Sequence, residues 1–346
     1  MIGSVILPGT TPEQWPTIRA EIRQRIAKTL GTPPAGAGAE PIQFKELQRY
    51  ENFGLTHIKL SYHVVDDEWH NAVVVLPEGG EGACPAPAVI CMHGTFSRTE
   101  GKYAVLDPNV TQKPDLRRGI ESRLYAIELA RRGYVTIATD VYAFGETLHG
   151  RTNPEAVADF HRKYPDWTLD GRRILDHQRA LDVLQKLDCV SDAGFGAIGD
   201  SLGGRGVMNL TAFDERVTTA VSSTGVSPHF NNVVRYRPQP DAATVKLIDP
   251  EEPVRRVPWD YHELIALCAP RALLVLEAIN DVYGPNVWPD LACFYQASEV
   301  YKLLGQPERI SMVTHGDGHG TPPHIRRFAY NWLDRFLKND GQSTFD

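Results

Sequence analysis

The residues best suited to chemistry lie in the run Gly199-Asp-Ser-Leu-Gly203, where a serine stands between two glycines. Small and apolar residues at 193–198 predict a short buried strand before this run, and residues 204–213 predict a helix after it. The junction matches the G-x-S-x-G turn, which is so tight that the serine side chain is pushed out above the sheet, beside the positive end of the helix. Ser201 is therefore a candidate nucleophile for attack on a carbonyl group.

A serine nucleophile in such a turn requires a carboxylate and a histidine further along the chain, in that order. Asp281 follows the strand-like run 271–277, on the kind of loop where open α/β sheets place their sites. His319 lies in the glycine-rich loop 315–320, between a predicted last strand and a predicted last helix. These positions predict a Ser-His-Asp triad. Glu277 is the alternative acid, but it falls inside the predicted strand.

Attack on a carbonyl creates an oxyanion, which requires two preorganised N–H donors. Leu202, directly after the serine, predicts the first donor. The second is predicted at Thr95, which follows the buried-strand run 88–92. His93 precedes the nucleophile in the chain, so we interpret it as a structural hydrogen-bonding residue rather than the catalytic base.

This set of residues predicts acyl transfer in two steps, with no metal and no organic cofactor. His319 removes the proton of Ser201, Asp281 orients the imidazole, and an activated water later releases the acid. A metal site is the alternative interpretation of the histidine-rich segment 315–324. Its glycines break the helical spacing that paired histidine ligands require, which disfavours that alternative.

Strand-like and helix-like segments alternate along the chain, which predicts a mostly parallel central sheet with helices on both faces. We expect a single domain over 1–346, with an amino-terminal helical extension at 1–45 and a cap-like insertion at 226–259. The remaining predicted elements are a helix at 11–30, a hairpin at 56–65 and 68–76, a helix at 123–132, strands at 134–140, 217–222 and 310–314, and helices at 288–304 and 323–337.

Segments 199–204, 212–216, 260–271 and 317–322 carry a closer resemblance to a known group of proteins. In them the chain resembles the α/β-hydrolases, and among these the dienelactone-hydrolase-like and acetyl-xylan-esterase-like bacterial serine esterases. The resemblance covers about residues 50–340. It implies an α/β-hydrolase fold and a serine esterase that acts on small or sugar-linked esters, such as acetyl esters. Dienelactone hydrolases themselves use a cysteine nucleophile, so their specific activity is not implied.

Glucuronoyl esterases, which are similar to this group, carry an arginine directly after the serine, where this chain has Leu202. They also carry a sugar-binding lysine at the position of Arg205, which implies that Arg205 contacts a polar or anionic substrate group. The alternative is that Arg205 ties its helix to a neighbouring loop. In the aromatic-rich insertion, His229, Phe230 and Tyr236 are predicted to line the substrate pocket.

Composition and charge limit which partners and which cellular setting the chain is expected to have. A net charge of −7 and a pI near 6.0, with no basic stripe, argue against a nucleic-acid partner. No apolar run is long enough to cross a membrane, and no signal peptide is recognised at the amino terminus. Five scattered cysteines predict free thiols in a reducing compartment, so we expect a cytoplasmic protein. The pairs Arg131-Arg132 and Arg172-Arg173 are predicted to lie on exposed helix faces. Homo-oligomerisation stays open.

Two other functions remain to be distinguished from an esterase. A serine peptidase of the prolyl-oligopeptidase type has the same catalytic core, but such enzymes usually carry a large amino-terminal domain. This chain has only about 80 residues before the first core strands. A non-catalytic binding protein on a hydrolase scaffold is the other alternative. Such proteins typically lose a member of the triad, and each member has a candidate here.

Overall fold

A nine-stranded sheet forms the centre of the molecule. The computed structural model describes residues 3–95, 99–107, 123–229, 258–283 and 287–338. The strands are β1 (Phe44–Asn52), β2 (Leu55–Val65), β3 (Glu68–Val75), β4 (Ala86–Met92), β5 (Val135–Thr139), β6 (Val190–Asp200), β7 (Val217–Ser223), β8 (Ala272–Ala278) and β9 (Ile310–His315).

The strand order is β1-β2-β3-β5-β4-β6-β7-β8-β9. The first three strands pair antiparallel, and β3 joins the rest through an antiparallel pairing with β5. All later pairings are parallel, so β4, β6, β7, β8 and β9 end at the same edge of the sheet. The loops that carry the predicted site residues leave the sheet at this edge.

Helices cover both faces of the sheet, as predicted. They are α1 (Trp15–Leu30), α2 (Tyr125–Arg131), α3 (Asn153–Lys163), α4 (Leu169–Leu184), α5 (Leu202–Phe213), α6 (Tyr261–Leu267), α7 (Trp288–Leu303) and α8 (Pro323–Leu333). One apolar core packs α1 and α3 to α7 against the sheet, and a second packs α2 and α8 against the other face. In β4, Ile90 belongs to the first core and Val89 to the second, as expected for a strand buried on both faces.

The prediction that Arg172-Arg173 is exposed is wrong, whereas Arg131 and Arg132 are exposed as predicted. Arg172 is fully buried, with its Nε donating to Asp176 Oδ1 at 2.7 Å and its Nη1 lying 2.9 Å from Glu68 Oε2. Arg173 has a side chain only 13% exposed. Arg172 can be buried because two carboxylates, one from its own helix and one from β3, neutralise it.

Two buried histidines make the fold sensitive to acid. Burial lowers the pKa of His70 and of His177 from 6.5 to about 4 in each case. Below pH 6.5 the unfolded chain therefore binds protons that the folded chain takes up only near pH 4, so the free energy of unfolding falls as the pH drops through this window. We expect each histidine to cost roughly 2 kcal/mol at about pH 5.

Urea unfolding at about pH 5 and about pH 8 measures this loss. The His177→Gln variant should lose less stability between the two values than the wild type, because its folded and unfolded forms bind protons equally at that position. His324→Gln is the matched control, since His324 has a side chain 53% exposed. Equal free energies of unfolding at both pH values would contradict the prediction.

Candidate active site

Ser201 occupies a strained turn between β6 and α5. Its backbone has φ 54° and ψ −114°, a conformation rare for residues with a side chain, which costs about 1–3 kcal/mol. Two hydrogen bonds hold the turn: Ser201 N–H donates to Ser223 O at 2.8 Å, and Arg205 N–H donates to Ser201 O at 3.0 Å. The sequence-predicted nucleophile therefore stands where the parallel strands end, at the start of a helix.

The glycines around Ser201 allow the backbones to approach closely. A Cβ on Gly203 would lie 2.5 Å from Met92 O, and one on Gly204 would lie 2.5 Å from Ser223 O. Both distances are shorter than real Cβ contacts, and backbone atoms cannot move aside easily. Glycine is thus required at these positions because α5 packs directly against the ends of β4 and β7.

The structure brings His319 and Asp281 together. His319 Nδ1 lies 2.6 Å from Asp281 Oδ2, and both side chains are buried. Asp281 Oδ1 accepts a hydrogen bond from the Tyr283 N–H at 2.7 Å, which fixes the carboxylate. With a carboxylate at this distance, Nδ1 carries the proton, so Nε2 is the nitrogen that can accept one. This is the arrangement that a histidine base requires.

Sequence reasoning missed Asn280, which joins the acid loop to the histidine loop. Its side chain donates to Gly316 O at 2.7 Å and accepts from the Gly318 N–H at 2.8 Å. The Tyr283 ring also packs edge-on against the His319 ring, with centroids 4.8 Å apart. Asn280 could have been noticed from its place beside Asp281, because asparagine offers both a donor and an acceptor to a neighbouring loop.

Glu277, the alternative acid, forms a hydrogen bond with the backbone of another segment. It is buried in β8, and its Oε1 accepts the Val226 N–H at 3.0 Å. This bond secures the chain just after β7. The geometry therefore pairs His319 with Asp281.

The predicted oxyanion donors leave the sheet side by side. In the parallel pair β4 and β6, Met92 pairs with Gly199, and Thr95 and Leu202 each follow three residues later. Leu202 is the first residue of α5, where N–H groups have no acceptor within the helix. His93 has the predicted structural role: its Nδ1 lies 3.1 Å from Gly94 O, and burial lowers its pKa. That Thr95 and Leu202 bind an oxyanion stays a prediction.

A buried ionic cluster, whose lysine was missed from the sequence, secures the chain that follows Thr95. Lys102 is fully buried, with its Nζ 2.7 Å from Asp140 Oδ2 and 3.3 Å from Glu146 Oε2. Burial alone would raise the pKa of Glu146, but Lys102 and Lys59 hold it at about 2. The cluster therefore stays ionised at neutral pH and ties this chain segment to the loop after β5.

Arg205 lies on the first turn of α5, beside a second arginine. Arg205 Nη2 and Arg173 Nη1 each lie 3.2 Å from Asp170 Oδ1. The Arg205 side chain is 31% exposed, whereas that of Arg173 is 13% exposed. Two cations thus face one carboxylate next to the serine turn, in a cleft that Leu202 also lines. Arg205 thus contacts a neighbouring helix through Asp170, rather than the neighbouring loop of the alternative interpretation, and part of its side chain is exposed.

The predicted insertion 226–259 is described only at its ends, and Phe230 and Tyr236 lie outside the described residues. The ends meet: the His229 and Trp259 rings stack edge to face with centroids 4.7 Å apart. Burial lowers the pKa of His229 to about 4, although Asp260 acts in the opposite direction. His229 is therefore a neutral, buried residue at neutral pH.

The described residues offer no cluster of three metal-ligating side chains. In the histidine-rich segment, Asp317 Oδ2 lies 3.1 Å from His324 Nε2 and 3.4 Å from His315 Nδ1.

No helix among those described is long and apolar enough to cross a membrane. A groove of about 1040 Å³ lies between α1 and the amino ends of β7 and β8, at the opposite edge of the sheet from Ser201.

This strand order, with the serine turn after β6, the acid after β8 and the histidine after β9, defines the α/β-hydrolase fold. Comparison with known proteins agrees. The family model described as glucuronyl esterase, fungi, matches residues 243–305, a segment that includes Asp281. No protein of curated function matches the chain in sequence.

Solved structures of similar fold cover nearly the whole chain. A glucuronoyl esterase from Solibacter usitatus has a TM-score of 0.70 at 18% identity, covering 96% of this chain and 97% of that one. A CE15 glucuronoyl esterase from Caldicellulosiruptor kristjansonii has a TM-score of 0.67 at 20% identity, covering 97% and 91%. A protein described as an acetyl xylan esterase, from Bacteroides fragilis, has a TM-score of 0.63 at 14% identity, covering 90% and 77%. Structural similarity at such low sequence identities establishes the fold alone.

Proposed function

We propose that this protein is a serine carboxylic ester hydrolase that works through an acyl-enzyme. The observation that carries the proposal is the buried pair of His319 and Asp281, 2.6 Å apart, on loops that leave the same sheet edge as the Ser201 turn. A histidine held by a carboxylate is a general base, and a serine exposed by a strained turn is the nucleophile that such a base serves.

In the proposed reaction the Ser201 hydroxyl attacks the ester carbonyl while His319 Nε2 takes its proton. Asp281 stabilises the imidazolium that forms. The N–H groups of Thr95 and Leu202 bind the oxyanion, and the imidazolium then gives its proton to the departing alcohol. Water enters, His319 removes one of its protons, and the acid leaves as Ser201 recovers its hydrogen. The residues of this chain supply every proton-transfer group in the cycle.

We take sugar-linked esters as the substrate class. The names of the similar structures, glucuronoyl esterase and acetyl xylan esterase, suggest it. The partly exposed guanidinium of Arg205 agrees with a polar or anionic substrate next to the serine. These names differ in whether the sugar is the acyl part or the alcohol part of the ester.

A panel of esters tests the proposal. Purified protein is assayed on p-nitrophenyl acetate, acetylated xylo-oligosaccharides and a methyl ester of glucuronic acid, beside the Ser201→Ala variant. We expect hydrolysis of at least one sugar-linked ester by the wild type and none by the variant. The same panel decides which side of the ester carries the sugar. No hydrolysis on any ester would contradict the proposal.

Two further assays separate the alternative functions. An aminoacyl-proline anilide that is cleaved faster than the esters would favour a peptidase of the prolyl-oligopeptidase type. A fluorophosphonate probe reports on the nucleophile itself, because it labels only an activated serine. Failure of the probe to label the wild-type protein would favour a non-catalytic binding protein.

Arg205→Met tests the substrate-binding role of Arg205. If the guanidinium binds a polar or acidic substrate group, we expect KM for the glucuronic acid methyl ester to rise by roughly 10-fold while p-nitrophenyl acetate is nearly unaffected. Arg173→Met is the matched control, since Arg173 contacts the same Asp170 oxygen but is less exposed. Equal losses on both esters together with a lower melting temperature would instead indicate a structural role for Arg205.

The proposed setting is the cytoplasm, in agreement with five cysteines that form no disulfide among the described residues. We propose no nucleic-acid or membrane partner and no cofactor.

A further inference from the structure

Arg123 is a buried cation that contacts two segments of the candidate site. It is 6% exposed and lies just before α2. Its Nη1 lies 2.8 Å from Asp200 Oδ2, and its Nη2 donates to the backbone carbonyl of His319 at 3.1 Å. One planar guanidinium therefore spans the residue before the nucleophile and the proposed base. An arginine suits this role because its donors form a rigid fork.

Asp200 places this ion pair at the meeting point of three turns. It is fully buried and immediately precedes Ser201. A Cβ on Gly94, next to Thr95, would lie 3.0 Å from Asp200 Oδ2, so the carboxylate also lies against the proposed oxyanion turn. The serine turn, the oxyanion turn and the histidine loop all contact the Arg123–Asp200 pair.

A contact from α2 itself secures the same histidine loop. Tyr125 OH donates to Thr321 Oγ1 at 3.2 Å, and the Ser223 hydroxyl lies 2.7 Å from the same oxygen. Tyr125 thus holds the histidine loop through an uncharged hydrogen bond, whereas Arg123 links the loop to Asp200 through an ion pair. Loss of the link would let the His319 backbone shift relative to the Ser201 turn.

We propose that Arg123 is a positioning residue, which acts with Asp200 to fix the backbone of His319 relative to the Ser201 turn. This inference rests on the proposed function. A displacement of about 1 Å between a nucleophile and its base can lower the rate by roughly 100-fold without changing substrate binding. The expected signature is therefore a loss of kcat with little change in KM.

The charges of the pair also predict a pH signature. Among the described residues, Asp281 and the Tyr283 ring contact the His319 ring, and Arg123, paired with Asp200, contacts its backbone carbonyl. Asp200→Asn leaves the Arg123 cation unneutralised near the imidazole, which disfavours the imidazolium. The acid limb of the kcat/KM profile, where activity rises with pH, should then move to lower pH. Removing both charges together should return it to the wild-type position.

The experiment compares Arg123→Met, Arg123→Lys, Asp200→Asn and the double variant Arg123→Met/Asp200→Asn on the best ester of the panel. We expect Arg123→Met to lower kcat by roughly 100-fold with KM within about 3-fold. Asp200→Asn should move the acid limb of the kcat/KM profile to lower pH. The double variant should return the acid limb to its wild-type pH but should not recover kcat. Arg123→Lys should keep the limb and recover only part of kcat, since an ammonium lacks the fork.

Arg326→Met is the matched control. Arg326 is 5% exposed and donates to Thr321 O at 2.8 Å, but it pairs with Glu128 instead of Asp200. The Arg326→Met variant should have a lower melting temperature and an unchanged acid limb of the kcat/KM profile.

Arg123→Met with wild-type kcat, or Asp200→Asn with an unmoved acid limb, would overturn the inference. If Arg123→Met does not fold, Asp200→Asn and Arg123→Lys decide the question. A wild-type protein that neither hydrolyses esters nor reacts with the fluorophosphonate would contradict the proposed function instead, so the two failures are distinguishable.

Discussion

Replacing Ser201 with alanine is expected to lower kcat on the best ester by about 10⁴-fold or more, because it removes the atom that forms the acyl-enzyme. The turn itself should persist, since it is held by backbone hydrogen bonds to Ser223 and Arg205. His319→Ala should cause a loss of the same order, because a nucleophile and its base act as one unit. Steady-state kinetics on the ester panel and fluorophosphonate labelling both measure this effect.

A serine elsewhere on the surface provides the matched control. Ser298 lies on α7, and its hydroxyl donates to Tyr295 O at 2.8 Å, so Ser298→Ala changes one exposed helix contact. It should retain wild-type kcat and labelling. If Ser201→Ala keeps more than about a tenth of the wild-type kcat, the nucleophile assignment is wrong.

Replacing Asp281 with asparagine is expected to lower kcat by roughly 10²- to 10⁴-fold. The amide has nearly the same shape, so the contacts with His319 and Tyr283 can persist. An amide, however, neither stabilises an imidazolium nor requires the proton to be on Nδ1. The loss should therefore appear mainly in kcat, with KM changed by only a few-fold.

Glu277→Gln separates the two candidate acids. Glu277 is buried and bonds the Val226 N–H, a contact that a glutamine oxygen can also accept. We expect kcat within about 3-fold of the wild type, because the residue supports backbone rather than the histidine. A larger loss of kcat in Glu277→Gln than in Asp281→Asn would reverse the acid assignment.

The sequence predicted the fold well where segments are apolar. The strands β4, β5, β7 and β8 and the second half of β6 are buried on both faces, so their sequences are short apolar runs that stand out from the rest. By contrast, β1 was not predicted, because most of its nine residues are exposed and polar and show no alternation. α3 was also not assigned; it has a Thr152 cap and a buried Phe160, but few apolar residues to mark its length.

Some residues of the candidate site could also be predicted from the sequence, and others could not. The positions of Ser201, Asp281 and His319 follow from local order along the chain, and the structure brings the latter two into contact. The charged partners could not be predicted, because a sequence does not reveal which distant residue will meet a buried charge. Asp200 is fully buried in the fold, and a buried carboxylate is rarely unpaired. Only the fold identifies that cation as Arg123.

The exposed strand β1 also bears on how copies of this protein can associate. It lies at one edge of the sheet, carries charges at Lys45, Glu46, Arg49 and Glu51, and has a bulge between Glu46 and Gln48. Charges and a bulge both prevent an edge strand from pairing with another molecule. At the other edge, β9 is free of charged side chains before His315. Of the two sheet edges formed by described residues, β9 is therefore the better suited to pair with a second sheet, close to the histidine loop.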